Sequence, residues 1–220
     1  MKKLFILGLL VISTTAFSQE KITVKEQVVA IDGTSRNSLT VMLLGSNTSD
    51  VKKAWKKQLK DLKGKVTDKT IIFGDNCKLK EMGENSFDVY SLVENATDKG
   101  VKLVAAFDLG GAYLSTSAHP DKYPAAEKLL SNFAVEERKR VVSTEIENNQ
   151  KILKGFEKAL STLEKEKVDY ESTITDYEKK IEESKNEIER NIGNQTTKKK
   201  EIEGMKAIVA ELEVKLKNIK

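Results

Sequence analysis

A few residues have types and spacing that could do chemistry. His119, the only histidine, stands in Ser117-Ala118-His119-Pro120-Asp121, where Asp121 could orient it as a general base. No Gly-x-Ser-x-Gly turn or other nucleophile context accompanies it. The position reads as a surface histidine at a helix entrance. Cys77 is the only thiol. It has no partner for an internal disulfide, so it is either buried and inert or able to bridge two chains. Free cysteine is among the most buried residue types, which favours a structural role.

Gly110-Gly111 lacks the spacing and the lysine-serine tail of a phosphate loop. It reads as a bend ending a strand. Tyr90, Gly110, Gly111, Tyr113 and His119 could together line a small pocket. Lys52, Lys53, Lys56, Lys57, Lys60 and Lys63 lie opposite an apolar stripe, with Asp61 the one acid among them. Lys52 to Lys60 could contact an anionic lipid or polysaccharide surface, although solvated lysines are the plainer reading. The adjacent acids Glu136-Glu137 and Glu182-Glu183 fit charged helical faces rather than an acid–base dyad. No cysteine–histidine spacing suits a metal. The expectation is a chain with no catalytic residue, no metal and no cofactor.

The elements that must hold these residues divide the chain near Asp121. Of the 220 residues, 33% are charged, and 38 basic against 34 acidic residues leave a net charge of +4. Asp121 to Lys220 holds 21 of each sign, which suits a long solvated helix and not a nucleic-acid footprint. Met1-Lys2-Lys3, the apolar run Leu4 to Ile12 and Ala16-Phe17-Ser18 match a cleavable signal peptide cut after Ser18. A periplasmic or secreted product follows. No cysteine stands at the cleavage point for lipid attachment, and no later apolar run suits a transmembrane anchor. The expected regions are residues 1–18 as signal peptide, 19–120 as an α+β globular domain and 121–220 as a helical arm.

Within 19–120, Ile22 to Ile31 and Ser38 to Leu44 are strand-like and flank the turn cluster Asp32-Gly33-Thr34-Ser35. Val51, Trp55, Leu59 and Leu62 follow N-cap residue types and share one helical face, with Gly64 placed as the stop. Further strands are expected at Thr70 to Phe73, Lys78 to Met82, Phe87 to Val93 and Val101 to Leu109. The last alternates Val101, Leu103, Ala105, Phe107 and Leu109. The order ββα-ββββ implies an antiparallel sheet with one packed helix.

The arm carries two seven-residue series. Leu153, Leu160, Ile174, Ile181, Ile188, Ile202, Val209 and Leu216 form the first, interrupted by Lys167 and Gln195. Phe156, Leu163, Tyr170, Tyr177, Met205, Leu212 and Ile219 form the second, interrupted by Ser184, Asn191 and Lys198. Apolar positions three apart in a constant heptad phase predict a coiled coil. Ala126, Leu130 and Phe133 lie on a different stripe and are expected to pack on the sheet. The polar exceptions cluster around Gly193, which suggests an antiparallel hairpin pairing Ile181 with Met205 and Tyr177 with Val209. Leu153 to Leu163 would then need another partner, either the sheet domain or a second subunit, of which self-association is the more economical.

The layout resembles periplasmic chaperones that carry coiled-coil arms on a β-rich body, except that here the arm follows the body instead of being inserted in it. The leading expectation is a non-enzymatic exported envelope protein, a homo-oligomeric scaffold with an envelope protein partner. A holdase for unfolded envelope proteins is the second reading. A ligand-binding or enzymatic domain using the Gly110–His119 loop is the third.

Overall fold

The computed structural model describes residues 21–96 and 100–218. The expected signal peptide, the middle of the Asn95–Gly100 loop and Ile219 lie outside the described residues. The elements run β1 (Val24–Ile31), β2 (Thr34–Leu44), α1 (Thr48–Asp61), β3 (Lys65–Asp68), β4 (Ile72–Cys77), a 3-10 turn (Lys80–Met82), β5 (Phe87–Ala96), β6 (Gly100–Asp108) and α2 (Tyr123–Lys217). The six strands form one sheet in the order β1-β2-β6-β5-β4-β3, and every neighbouring pair is antiparallel. The α+β class and the ββα-ββββ order therefore hold.

Local chemistry accounts for most boundaries. Asp32 and Gly33 have φ of 52° and 74°, the left-handed pair that closes a two-residue hairpin. Ile31 therefore faces Thr34, and β2 begins earlier than Ser38. Asn47 caps α1 by accepting from the Asp50 amide at 2.9 Å. At its other end Lys63, not Gly64, takes the left-handed conformation, with φ of 67°. The Gly64 amide donates to Leu59 and the Lys63 amide to Lys60, closing a Schellman motif. Gly64 is needed for space: a Cβ there would collide with Cys77 Sγ and the Leu59 carbonyl.

Two strand expectations need correction. Lys78 to Met82 is not a strand, because the Lys78 amide donates to Leu62 O at 2.7 Å and the chain then tightens into the 3-10 turn that buries Met82. The missing strand is β3, which pairs Lys65 with Asp75 and Asp68 with Ile72 at the sheet edge. The expected Thr70–Phe73 strand starts only at Ile72 and continues to Cys77.

Both helices contribute to the core on one face of the sheet. Leu39 and Val41 of β2, Leu103 and Phe107 of β6, and Val51, Trp55 and Leu59 of α1 are buried there with Ala126, Leu130 and Phe133 of α2. Trp55 is completely buried, donates from Nε1 to Ser91 Oγ at 2.8 Å, and meets Phe133 edge-on at 5.0 Å. Such a pairing satisfies the indole N–H while its ring fills the core. β6 is central, so Val104 and Ala106 are buried on the opposite face too.

By internal contacts the chain forms two compact units, one ending at Asn148 and the other running from Asn149. In the first, α2 is fastened to α1 through Arg140, which bridges Glu137 at 2.9 Å and Asp50 at 3.2 Å. In the second, α2 continues through Gly193 to Lys217 without interruption. The expected hairpin turn near Gly193 is therefore absent, and the pairs Ile181–Met205 and Tyr177–Val209 do not form. The polar cluster there serves the helix itself. Thr196 Oγ1 donates to Ile192 O, Thr197 Oγ1 to Gly193 O, and Gln195 Nε2 to Asn191 Oδ1. One interior glycine costs about 1 kcal/mol relative to alanine, too little to end a helix flanked by good helix formers.

Candidate functional sites

The sheet face opposite the helices carries a polar–aromatic stack. Cross-strand register aligns Phe73 with Tyr90 and Tyr90 with Ala106. Arg36 of β2 lies among them, buried, with its guanidinium carbon 4.3 Å from the Tyr90 ring centre and 5.6 Å from that of Tyr113. Its Nε donates to Tyr113 Oη at 2.8 Å and its Nη1 to the Ile31 carbonyl. Tyr90 meets Phe73 at 4.8 Å and Tyr113 at 6.3 Å. Tyr90 and Tyr113 thus come together, with Arg36 packed against both rings by cation–π contact. The sequence alone does not single out Arg36, which precedes the expected strand Ser38 to Leu44 and shares the parity of Ser38 and Thr40, opposite to the apolar Leu39 and Val41. Burial, with Tyr113, Asp88 and Asp108, pushes the Tyr90 phenol up against the opposing pull of Arg36.

The loop after β6 is held by its own backbone. Asp108 Oδ1 accepts from the Gly110 and Gly111 amides at 3.0 and 3.4 Å, and both glycines have positive φ. This is an Asx-type turn that a side chain at either glycine would strain. Thr116 Oγ1 donates to Glu26 Oε2 at 2.6 Å, fixing the loop to β1. His119 shapes the entrance of α2: its amide donates to Ser115 O, and its carbonyl accepts from Lys122 and Tyr123. His119 Nδ1 is buried without a hydrogen-bond partner.

Cys77 is free and buried, with Sγ 3.6 Å from Gly74 O. Burial, reinforced by Asp88 and Asp75, pushes its thiol up to about 12, so it is protonated at neutral pH. On α1, Lys56 pairs with Asp68 of β3 at 2.6 Å. Lys53, Lys57 and Lys60 are exposed and Lys52 is half-buried, while Val51, Trp55 and Leu59 are committed to the core. Among the described residues, no group of three or more His, Cys, Asp or Glu is arranged to hold a metal ion.

The most extensive exposed feature belongs to the second unit. From Ser143 onward every described residue is exposed. Leu153, Phe156, Leu160, Leu163, Tyr170, Ile174, Tyr177, Ile181 and Ile188 all present more than half of their surface. Ile202, Met205, Val209, Leu212 and Leu216 continue the stripe. Soluble proteins rarely leave so large a contiguous apolar surface uncovered. Charged neighbours along the helix pair with one another, as in Lys167–Glu171 and Lys206–Glu203. No helix among the described residues is long and apolar enough to cross a membrane. The chain matches no family model, no curated protein and no solved structure.

Proposed function

We propose that this chain is a non-enzymatic, exported scaffold whose α+β unit is multimerised through the heptad stripe of α2. The observation that carries the reading is the stripe itself. It keeps one heptad phase from Leu153 to Leu216 and is exposed along an unbroken helix. A lone amphipathic helix of this kind gains little from its own propensity, and burial of its apolar seam supplies most of the stability of a coiled coil.

Two of the groups that offered chemistry, Cys77 and Tyr113, are used structurally, which supports the same reading. Cys77 is buried and protonated, Asp108 closes a turn, and Tyr113 accepts from Arg36. The test is thermal melting of residues 19–220 followed by circular dichroism between 1 and 100 μM (assay choices). A helical transition whose midpoint rises with concentration is expected, because association binds the folded state. A midpoint independent of concentration would overturn the proposal.

A further inference from the structure

The heptad phase fixes which residues flank the seam. With the Leu153 series at the first apolar position of each heptad and the Phe156 series at the fourth, Glu157, Glu164, Glu171 and Glu178 occupy the fifth. The same fifth position then changes sign, to Lys185, Lys199 and Lys206, with Ile192 between and Glu213 after them. One flank of a single helix is therefore acidic in its first half and basic in its second.

A parallel, in-register pair makes poor use of this pattern. It places Glu166 near Glu171 of the second copy and Lys180 near Lys185, like against like, with Glu201–Lys206 the one opposite pair. A reversed pair sets the fifth positions against each other. In one register Glu157 then meets Lys206, Glu164 meets Lys199 and Glu178 meets Lys185, each twice by two-fold symmetry. Glu171 meets Ile192, so this flank contains no like-charged pair. The other flank sets Lys180 on Glu187 and Glu166 on Glu201, with Lys167 and Lys198 beside those two acids.

Five layers are apolar on both sides in that register, while Tyr170 falls on Gln195, Ile174 on Asn191 and Ile181 on Ser184. Leu153 falls on Leu212, Leu160 on Met205 and Leu163 on Ile202. Phe156 falls on Val209 and Tyr177 on Ile188. The two lysines that interrupt the seam, Lys167 and Lys198, come to the same layer. There Lys167 has Glu201 of the second copy beside it, and Lys198 has Glu166. Their cationic heads can reach those acids from the seam edge. The neighbouring registers fail. One heptad in one direction sets Lys185 on its own copy and Lys198 on Ile174. One heptad in the other sets Glu178 and Lys180 each on itself and Lys198 on Leu160.

We infer that α2 forms an antiparallel two-stranded coiled coil with a second copy of this chain, in the register that sets Leu160 against Met205. The inference rests on the self-association reading above and adds its direction and register. Residues 160 and 205 of one helix are about 68 Å apart at 1.5 Å per residue, so a disulfide between them must join two chains.

The test uses the full 19–220 chain as three variants: Leu160→Cys, Met205→Cys and the double variant. Each is mildly oxidised and run on a non-reducing denaturing gel, with Cys77 left as its buried thiol. The double variant is expected to run mostly as a covalent dimer, while each single variant stays a monomer. Covalent dimers from both single variants would show a parallel pair and overturn the inference. Association by light scattering without a cross-link in the double variant would overturn the register. A strict monomer by light scattering would instead remove the self-association reading beneath it.

Discussion

Helix α2 contains two stretches made of similar residues that meet different ends. From Tyr123 to Val141 it buries Tyr123, Ala126, Leu130, Phe133, Ala134, Glu137 and Val141 in the first compact unit. From Leu153 to Leu216 its stripe is 47 to 70% exposed. The difference lies in spacing and size. The packed stretch mixes alanines with Tyr123, Leu130, Phe133 and Val141 and accepts a buried carboxylate, Glu137, because Arg140 is beside it. A fixed sheet surface with no seven-residue repeat of its own suits such irregular choices. The exposed stretch repeats large side chains every seven residues, which suits another helix of the same pitch. Regularity thus separates a helix that fits its own domain from one that fits another helix.

The largest expected effect sharpens this contrast. Leu130→Ala should destabilise the first unit by about 2–5 kcal/mol, read by Trp55 fluorescence in urea. Leu160→Ala should leave that transition in place and instead raise the dissociation constant about tenfold or more, near 1.4 kcal/mol. If Leu160→Ala shifts the Trp55 transition as far as Leu130→Ala does, the two stretches are not distinct.

The alkaline limit of the first unit comes next. The Cys77 thiol is held up at about 12 against an ordinary 9.0, so folding favours its neutral form. That stability is complete below pH 9 and declines as the pH rises towards 12, by about 1.4 kcal/mol per unit. The stability of Cys77→Ala should fall less steeply between pH 9 and 11 than that of the parent chain. Equal slopes in urea titrations would refute the burial of this thiol.

Arg140→Ala should cost about 1–3 kcal/mol, since Glu137 would remain 4% exposed without its ion pair. Adding Glu137→Gln should restore part of this loss, and no restoration would exclude an unpaired carboxylate as its source. The smallest effect tests the unbroken helix. Gly193 has open space around it and no positive φ. Gly193→Ala should raise the helix melting midpoint, worth up to about 1 kcal/mol per chain. A fall would point to a turn at that residue.

Strong periodicities were readable in the sequence. The four-four-three spacing of Val51, Trp55, Leu59 and Leu62 became α1, and the alternation through Val101 to Phe107 became β6. Asp32-Gly33 announced its hairpin through turn chemistry alone. β3 was hidden because Lys65-Val66-Thr67-Asp68 offers one apolar side chain, and an edge strand needs no more when its neighbour supplies the ladder. Lys78–Met82 has no strand alternation, since Leu79 and Met82 stand three apart, and the tertiary bond from Lys78 to Leu62 holds it as a turn. Arg36 was invisible for a similar reason, since its ring partners come from β5 and the loop after β6. At Gly193 a weak local preference yielded to helix on both sides.

If the exposed stripe is a self-association seam, the molar mass of purified residues 19–220 reads it without an intermediary. Light scattering would be measured at several concentrations with reductant present. Twice the chain mass is expected at the higher concentrations, returning towards one chain when Ile174 and Ile181 are both changed to Glu. A single-chain mass at every concentration would contradict it.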